Sequence, residues 1–316
     1  MSTTDPSVLV LCGGLSAERD VSLRSGARVA EALRDEGVRV STADVDAGLL
    51  PRLREERPDC VIPVLHGAVG EDGALRDVLS SLGLPYVGST AAASRLAFDK
   101  PIAKTLLSTA GVAAPRSAAL PHSAFRELGA GPVLDILTES LGLPVVVKPT
   151  RGGSSLGASI VHDPAELPAA MVGAFAYGDI ALIETFVAGT EVAVSVIEGE
   201  EGPRALPPVE IVPDTGFYDY TARYTAGTTE FFAPARLDPA ITQAAQEAAL
   251  TAHRVLGLRD YSRTDLIIAP DGCCWFIEVN VAPGLTETSL MPQAMLAAGT
   301  DIGHVMATLV RRALDR

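Results

Sequence analysis

Positive charge is scarce in this chain. Its 316 residues include 25 Lys and Arg against 39 Asp and Glu, for a formal net charge of −14. That balance argues against nucleic acid or an anionic membrane surface as a partner. No apolar run reaches the length of a bilayer span. The first residues, 1–7, lack both a basic stretch and an apolar stretch, so no secretory signal is expected. The four cysteines, Cys12, Cys60, Cys273 and Cys274, form neither a CxxC pair nor a Cys/His metal spacing. Cys12, Cys60 and Cys274 lie in apolar strand-like runs, so buried thiols in a reducing cytoplasm are expected. There is no internal repeat and no low-complexity tail. What remains is a 47% apolar chain, long enough to bury a large core and to divide into two or three subdomains.

The first third alternates strand and helix signals. Val8 to Cys12, Val38 to Ala43, Cys60 to Leu65 and Pro85 to Val87 read as strands, with a helix from Ser22 to Asp35 that Gly37 stops. Alternation of this kind implies a parallel sheet whose ligands sit beyond the carboxyl ends of its strands. Glu18 and His66 both follow strand ends. A helix from Asp99 to Ala110 comes next. Strands are then expected at Val145 to Val147, Ser159 to Val161 and Ile180 to Glu184, with a helix from Ala165 to Ala176 between the last two. Val192 to Ile197 and Val209 to Val212 suit antiparallel strands. Asp214 to Pro234 reads as a long ordered loop, and loops of that length in compact enzymes often act as lids. An Ala-rich helix from Pro239 to Leu256 and helices starting at Ser289 and Ile302 complete the chain.

Two segments carry most of the chemistry. Arg263-Thr264-Asp265 opens an apolar run, Pro270-Asp271-Gly272 is a turn, and Cys274 to Ile277 returns ahead of Glu278-Val279-Asn280. Such a hairpin brings Asp265 close to Glu278 and Asn280. Two carboxylates and a carboxamide oxygen suit Mg²⁺ held together with phosphate; the plainer alternative is a hairpin with solvated charges at its end. The second segment follows the strand at Val145: Lys148-Pro149-Thr150-Arg151-Gly152-Gly153-Ser154-Ser155-Leu156-Gly157. Small residues let backbone amides close on phosphate oxygens, and Lys148 adds a fixed charge. The loop has neither the Walker ending nor the GxGxxG spacing. Alone it would be read as a flexible connection, and its pairing with the downstream trio is what points to phosphate.

These segments resemble the ATP-grasp superfamily. Gly13-Gly14-Leu15-Ser16-Ala17-Glu18-Arg19-Asp20-Val21-Ser22 and Leu65-His66-Gly67-Ala68-Val69-Gly70-Glu71-Asp72-Gly73 narrow the likeness to the D-alanine:D-alanine ligase family, over nearly the whole chain. The resemblance implies an α/β ATP-grasp fold. Its parts would be an N-terminal Rossmann-like substrate domain (1–98), a central α+β subdomain (99–187) and a C-terminal α+β subdomain with the metal site (188–316). It also implies ATP and Mg²⁺ as cofactors (two ions, with Mn²⁺ as the alternative), D-alanine as substrate, a cytoplasmic location and a homodimer.

The resemblance also assigns residues that composition would leave bland. Taken singly, Glu18 would cap a helix, His66 would be a structural histidine, and Lys100 and Lys148 would be surface lysines. By likeness, Glu18 orients the ammonium of the first D-alanine and hydrogen-bonds Ser154 and Tyr224, while His66 lies near that substrate's carboxylate. Lys100 and Lys148 hold the nucleotide. Glu184 precedes the hinge Phe186-Val187 whose backbone meets adenine, Glu191 binds the ribose and Phe217 stacks on the base, unless it is a core aromatic. Arg263 and the amide of Gly284 stabilise the tetrahedral intermediate, and Ser289 with Leu290 binds the second substrate's carboxylate. Arg223 stands where the usual family residue is lysine; a guanidinium can still neutralise a γ-phosphate, with different reach and geometry. Two rival readings stay open: a related ligase using D-serine, D-lactate or an antibiotic precursor as second substrate, and a non-catalytic nucleotide-binding protein. Tyr224 argues for an amine nucleophile, because depsipeptide-forming relatives typically lack it.

Overall fold

A computed structural model describes residues 6–214, 216–218, 222, 223, 225 and 227–316. Tyr224 therefore lies outside the described residues. β1 (Ser7–Cys12) is apolar from Val8 onward and buried there on both faces, as a central parallel strand should be. It pairs in parallel with β2 (Arg39–Asp44) on one side and β3 (Cys60–Pro63) on the other. Helix α1 (Arg19–Asp35) covers this sheet with a stripe at helical spacing that includes Gly26, Val29, Ala30 and Leu33. The short helices α2 (Leu49–Glu56), α3 (Ala68–Glu71) and α4 (Ala74–Ser81) complete this part.

Helices α5 (Ala91–Phe98) and α6 (Lys100–Thr109) lead into the second sheet. Asp99 caps α6 by accepting from the amide of Ile102 (3.3 Å), and Pro101 sits in the first turn, where its missing N–H costs nothing. The second sheet runs β4 (Ser117–Pro121), β7 (Ile180–Thr185), β5 (Val145–Pro149), β6 (Ser159–Val161), all antiparallel. It is backed by α7 (His122–Leu128), α8 (Ala130–Leu141) and α9 (Leu167–Phe175).

The third sheet has the order β11 (Thr229–Phe232), β10 (Val209–Pro213), β8 (Thr190–Gly199), β12 (Tyr261–Ile268), β13 (Cys274–Asn280), with β9 (Gly202–Ala205) added to β8. Helix α10 (Pro239–Val255) packs on it through Ala245, Ala249 and Ala252. Helix α11 (Leu290–Ala297) packs against β8 and β10, and α12 (Ile302–Leu314) returns to the first part, docking along α1. One core cluster therefore joins Val29 and Leu33 of α1 to Met306 and Leu309 of α12 and to Ile211 of β10. Among the described residues no helix is long and apolar enough to cross a membrane.

Four expectations need correction. Pro85 to Val87 makes only a single parallel bridge, Tyr86 to Val61, because glycines flank so short a run. The segment from Asp214 to Pro234 is not loop throughout: Thr229–Phe232 pairs with β10, since alternating Glu230 and Phe231 can face opposite sides of an edge strand. β4, α7 and α8 had no counterpart in the sequence reading. Cys274 is half-buried rather than buried, as it opens an edge strand next to the turn.

Candidate active site

Two adjoining cavities, of about 630 Å³ and about 380 Å³, lie between the three sheets. Lys100, Gly152, Gly153, Tyr218, Arg223 and Glu278 belong to the walls of both. The larger one is lined by Glu18, His66, Ser154, Arg263, Asn280, Gly284, Ser289 and Leu290. The smaller one is lined by Lys148, Glu184, Phe186, Val187, Glu191, Phe217 and Asp265. Every site residue expected from the sequence and described in the structure thus faces one cleft.

Glu18 is set by the loop that joins β1 to α1. Asp44, at the end of β2, accepts from the amide of Gly14 (2.8 Å) and is ion-paired to Arg19, whose Nη1 donates to the carbonyl of Gly14 (2.7 Å). The Arg19 guanidinium and the Gly14 amide hold Asp44 down at about 2. Gly13 has φ +92°, and a Cβ there would meet the Asp44 carboxylate at 2.3 Å, so only glycine fits. Glu18 stands at the N-cap of α1, but its side chain makes no capping hydrogen bond. It accepts instead from Ser154 Oγ at 2.5 Å, across 136 positions of sequence. Ser154 and Ser155 both adopt left-handed backbone (φ 52° and 55°), a conformation costing about 1 kcal/mol or more each, which points Ser154 at Glu18 and Ser155 Oγ at the carbonyl of Tyr218 (3.0 Å).

The segment after β3 carries a second carboxyl. Gly70 must be glycine, because a Cβ there would sit 2.0 Å from the carbonyl of Leu65. That tight return folds α3 and buries Glu71, which accepts from the amide of Gly67 at 3.0 Å. Burial and then the nearby Glu18 charge push Glu71 up to about 8, so it carries a proton at neutral pH. The sequence reading quoted Glu71 within its motif but gave it no role. His66 Nδ1 donates to the carbonyl of Ala282 (2.8 Å), and its buried Nε2 has no hydrogen-bond partner among the described residues. Burial lowers the pKa of this ring and favours its neutral form.

In the β12–β13 hairpin Asp265 stands opposite Glu278, and Arg263 opposite Asn280. Arg263 grips Asp265 through Nε (2.7 Å) and Nη2 (2.8 Å). Glu278 Oε2 lies 3.2 Å from Lys100 Nζ. Although burial opposes it, Lys100, Arg223, Lys148 and Arg263 hold Glu278 at about 2, ionised at any working pH. Asn280 Oδ1 accepts from the amide of Ala282 (2.7 Å). Among the described residues no group of three or more His, Cys, Asp or Glu side chains could form a closed metal cage. The donors fit Mg²⁺ in another way. Each oxygen keeps lone pairs beyond these bonds, and two carboxylates with one carboxamide leave room for phosphate and water oxygens.

The smaller cavity is built on a buried cation cluster. Glu184 of β7 bonds Lys148 of β5 at 2.6 Å and also bonds Lys104 of α6. Burial would raise the pKa of Glu184, yet the two lysines keep it below the usual carboxylate range. Its carboxylate is therefore fully engaged with lysine. Lys104 was not singled out from the sequence, although it lies one helical turn after Lys100 on the same face of α6, a spacing that could have flagged it. Burial raises Glu191 on β8 to about 7. Arg223 stacks over Tyr218, 4.2 Å from the ring centroid, and its Nε reaches the Tyr218 carbonyl at 3.4 Å.

Comparison with known proteins agrees with the family resemblance and the fold. A family model described as D-ala D-ala ligase C-terminus matches residues 106–311. The chain is 44% identical over 317 residues to a D-alanine--D-alanine ligase of Anaeromyxobacter sp. (strain K), covering 100% of this chain and 98% of that one. Its structure is similar to that of the VanG D-Ala:D-Ser ligase from Enterococcus faecalis (TM-score 0.85, 28% identity, 98% of this chain and 100% of that one). It is also similar to D-alanine--D-alanine ligase from Bacillus anthracis complexed with ATP (TM-score 0.79, 28% identity, 98% and 97%).

Proposed function

The chain belongs to the D-alanine--D-alanine ligase family, and from that premise we infer that it joins two D-alanine molecules at the expense of ATP. The dipeptide serves peptidoglycan synthesis. ATP transfers its γ-phosphoryl group to the carboxylate of the first D-alanine. The amine of the second attacks the acylphosphate carbonyl, and inorganic phosphate leaves. A second substrate other than D-alanine is not favoured, since the full-length relative with the higher identity is a D-alanine--D-alanine ligase.

The observation that carries this reading is the shared wall. Lys100, Arg223 and Glu278 stand between the two cavities, so a triphosphate entering the smaller one meets an amino acid held in the larger one. In this reading Glu18, fixed by Ser154, receives the first ammonium, and His66 lies near the first carboxylate. Lys148, Lys100 and Arg223 face the phosphates, with adenine against Phe186, Val187 and Phe217 and the ribose at Glu191. Ser289, at the start of α11, and Leu290 take the second carboxylate, where helix N–H groups favour an anion. Arg263 and the Gly284 amide face the developing oxyanion. Asp265, Glu278 and Asn280 would hold Mg²⁺, which neutralises charge on the transferring phosphoryl group when bound. Tyr224 is assigned to close the Glu18–Ser154 pair over the substrate.

The same proposal divides the chain near Phe98 and Val187 and puts a homodimer in the cytoplasm, where ATP is available; the four free cysteines suit that compartment. Sedimentation velocity tests the dimer. The activity is tested by phosphate release with ATP, Mg²⁺ and a panel of D-alanine, D-serine, D-lactate and L-alanine, with products identified by mass spectrometry. D-alanyl-D-alanine should dominate at pH 7. Predominant ester or mixed dipeptide would overturn the reading, as would phosphate release indifferent to D-alanine.

A further inference from the structure

Lysine is the rarest charged residue here. The chain has three, Lys100, Lys104 and Lys148, against 22 arginines. All three are buried, with 7%, 4% and 8% of their surface exposed, and all three gather around Glu184 and Glu278. Every other cationic side chain is a guanidinium. An ammonium is a compact point charge that fits where a planar fork does not, and its pKa falls readily on burial. The rarity of lysine thus marks a cluster where compact charge matters.

Two of the three have direct uses in the reading above. Lys100 lines both cavities and Lys148 lines the smaller one, whereas Lys104 lines neither. It bonds Glu184 from outside both cavities. Glu184 bonds Lys148 through Oε1 and Lys104 through Oε2. The trio holds two positive charges and one negative. Without Lys104, Glu184 and Lys148 would form a neutral pair at the floor of the cavity.

We propose that Lys104 is a positioning residue for nucleotide phosphate: by sharing Glu184 it fixes that carboxylate and leaves the charge of Lys148 available to the polyphosphate. This rests on the reading of the smaller cavity as the nucleotide site. Glu184 on β7, Lys148 on β5 and Lys100 on its own helix act most strongly on Lys104. β4 carries no charged residue, and α5 and α10 meet α6 through alanines and Leu107. Glu278 on β13, which also packs on α6, is engaged by Lys100. Burial lowers Lys104 to about 8 against the pull of Glu184, so its charge is present at pH 7 and lost as pH rises through 8.

The test is calorimetric titration of the purified protein with MgADP and, separately, with adenosine. Lys104→Met should weaken MgADP about tenfold, the size of one charge-assisted contact, and leave adenosine within about twofold. KM for D-alanine should stay put while KM for ATP rises. In the wild type, MgADP affinity should fall between pH 7 and 9 more than adenosine affinity does. Glu191 also titrates near this range, so the share due to Lys104 is the part that Lys104→Met lacks. Lys104→Arg, which keeps the charge, should recover part of the MgADP affinity. Equal loss of adenosine and MgADP would reduce Lys104 to a packing role and overturn the proposal, and so would a variant that binds MgADP like the wild type. Should Lys104→Met fail to fold, a wild-type MgADP affinity that is flat from pH 7 to 9 overturns it alone. A wild type that binds no MgADP would sink the nucleotide-site reading as well, whereas one that binds MgADP but ligates no D-alanine would fail only the activity.

Discussion

Ser154 Oγ and Glu18 Oε1 lie 2.5 Å apart, and their hydrogen bond ties the loop after β1 to the Gly-Ser loop after β5. It spans two different sheets, so its loss should act on substrate geometry more than on folding. Ser154→Ala should raise KM for D-alanine about five- to tenfold, the effect of one hydrogen bond to a charged group, with KM for ATP changed less than about twofold. Equal rises in both constants would show that the serine supports the loop rather than the substrate-binding carboxylate.

Glu278 faces both cavities. Glu278→Gln removes one negative charge from the face assigned to Mg²⁺ and from Lys100, which keeps its hydrogen bond to the carbonyl of Gly152 at 2.8 Å. Turnover should fall by at least about 10², and the Mg²⁺ concentration for half-maximal rate should rise, because charge on the phosphoryl group is less well neutralised. Normal turnover with unchanged Mg²⁺ dependence would remove Glu278 from the metal site.

Arg223 tests the lysine-to-arginine departure from the family pattern. It lines both cavities and stacks on Tyr218. Arg223→Ala should lower kcat/KM for ATP by about tenfold, and Arg223→Lys should keep most of it, because the charge rather than the fork is needed. Wild-type behaviour in both would mean that Lys100, Lys148 and Mg²⁺ neutralise the phosphate unaided.

Glu71 makes a prediction about pH and stability. Its folded pKa, about 8, lies above the ordinary carboxylate value, so the native state binds more protons than the unfolded chain between about pH 4.5 and 8. Stability should therefore drop as pH rises through that window. Glu71→Gln can still accept from the Gly67 amide and carries no charge to bury. Its Tm should fall less than the wild-type Tm between pH 5 and 9, by at least about 2 °C. Parallel Tm curves would mean that Glu71 ionises freely where it sits.

How much of this was legible in advance varied with the physics. The β12–β13 hairpin could be read because a Pro-Asp-Gly turn separates two apolar runs, but its register could not, because a shift between Asp265 and Leu266 puts Glu278 rather than Ile277 opposite Asp265. The helices with long apolar stripes, α1 and α10, were found to within a few residues for the same reason. β11 was missed because only four residues pair, amid turn-forming glycine and threonine. α7 and α8 were missed because few of their residues are buried, leaving a weak stripe. The cleft-lining residues came from motif order rather than from periodicity. What no local pattern could carry was tertiary pairing. That the Glu184 carboxylate is taken by two lysines, one of them outside every motif, appears only when α6, β5 and β7 are packed together.

The burial of every lysine in or just behind the cleft also gives the outer surface an unusual chemistry. This protein shows solvent almost no lysine amine, since Lys100, Lys104 and Lys148 are all buried. Acylating agents, aldehydes and amine-directed cross-linkers, which modify lysines over the whole exterior of most proteins, would find the lysine amines of this one only in the cleft and, for Lys104, just behind it. Labelling with acetic anhydride should therefore inactivate the enzyme at low stoichiometry, and bound nucleotide should slow both the labelling and the loss of activity. Immobilising the protein through its lysines would block the cleft, so attachment through Cys273, a free and only partly buried thiol, is the better route.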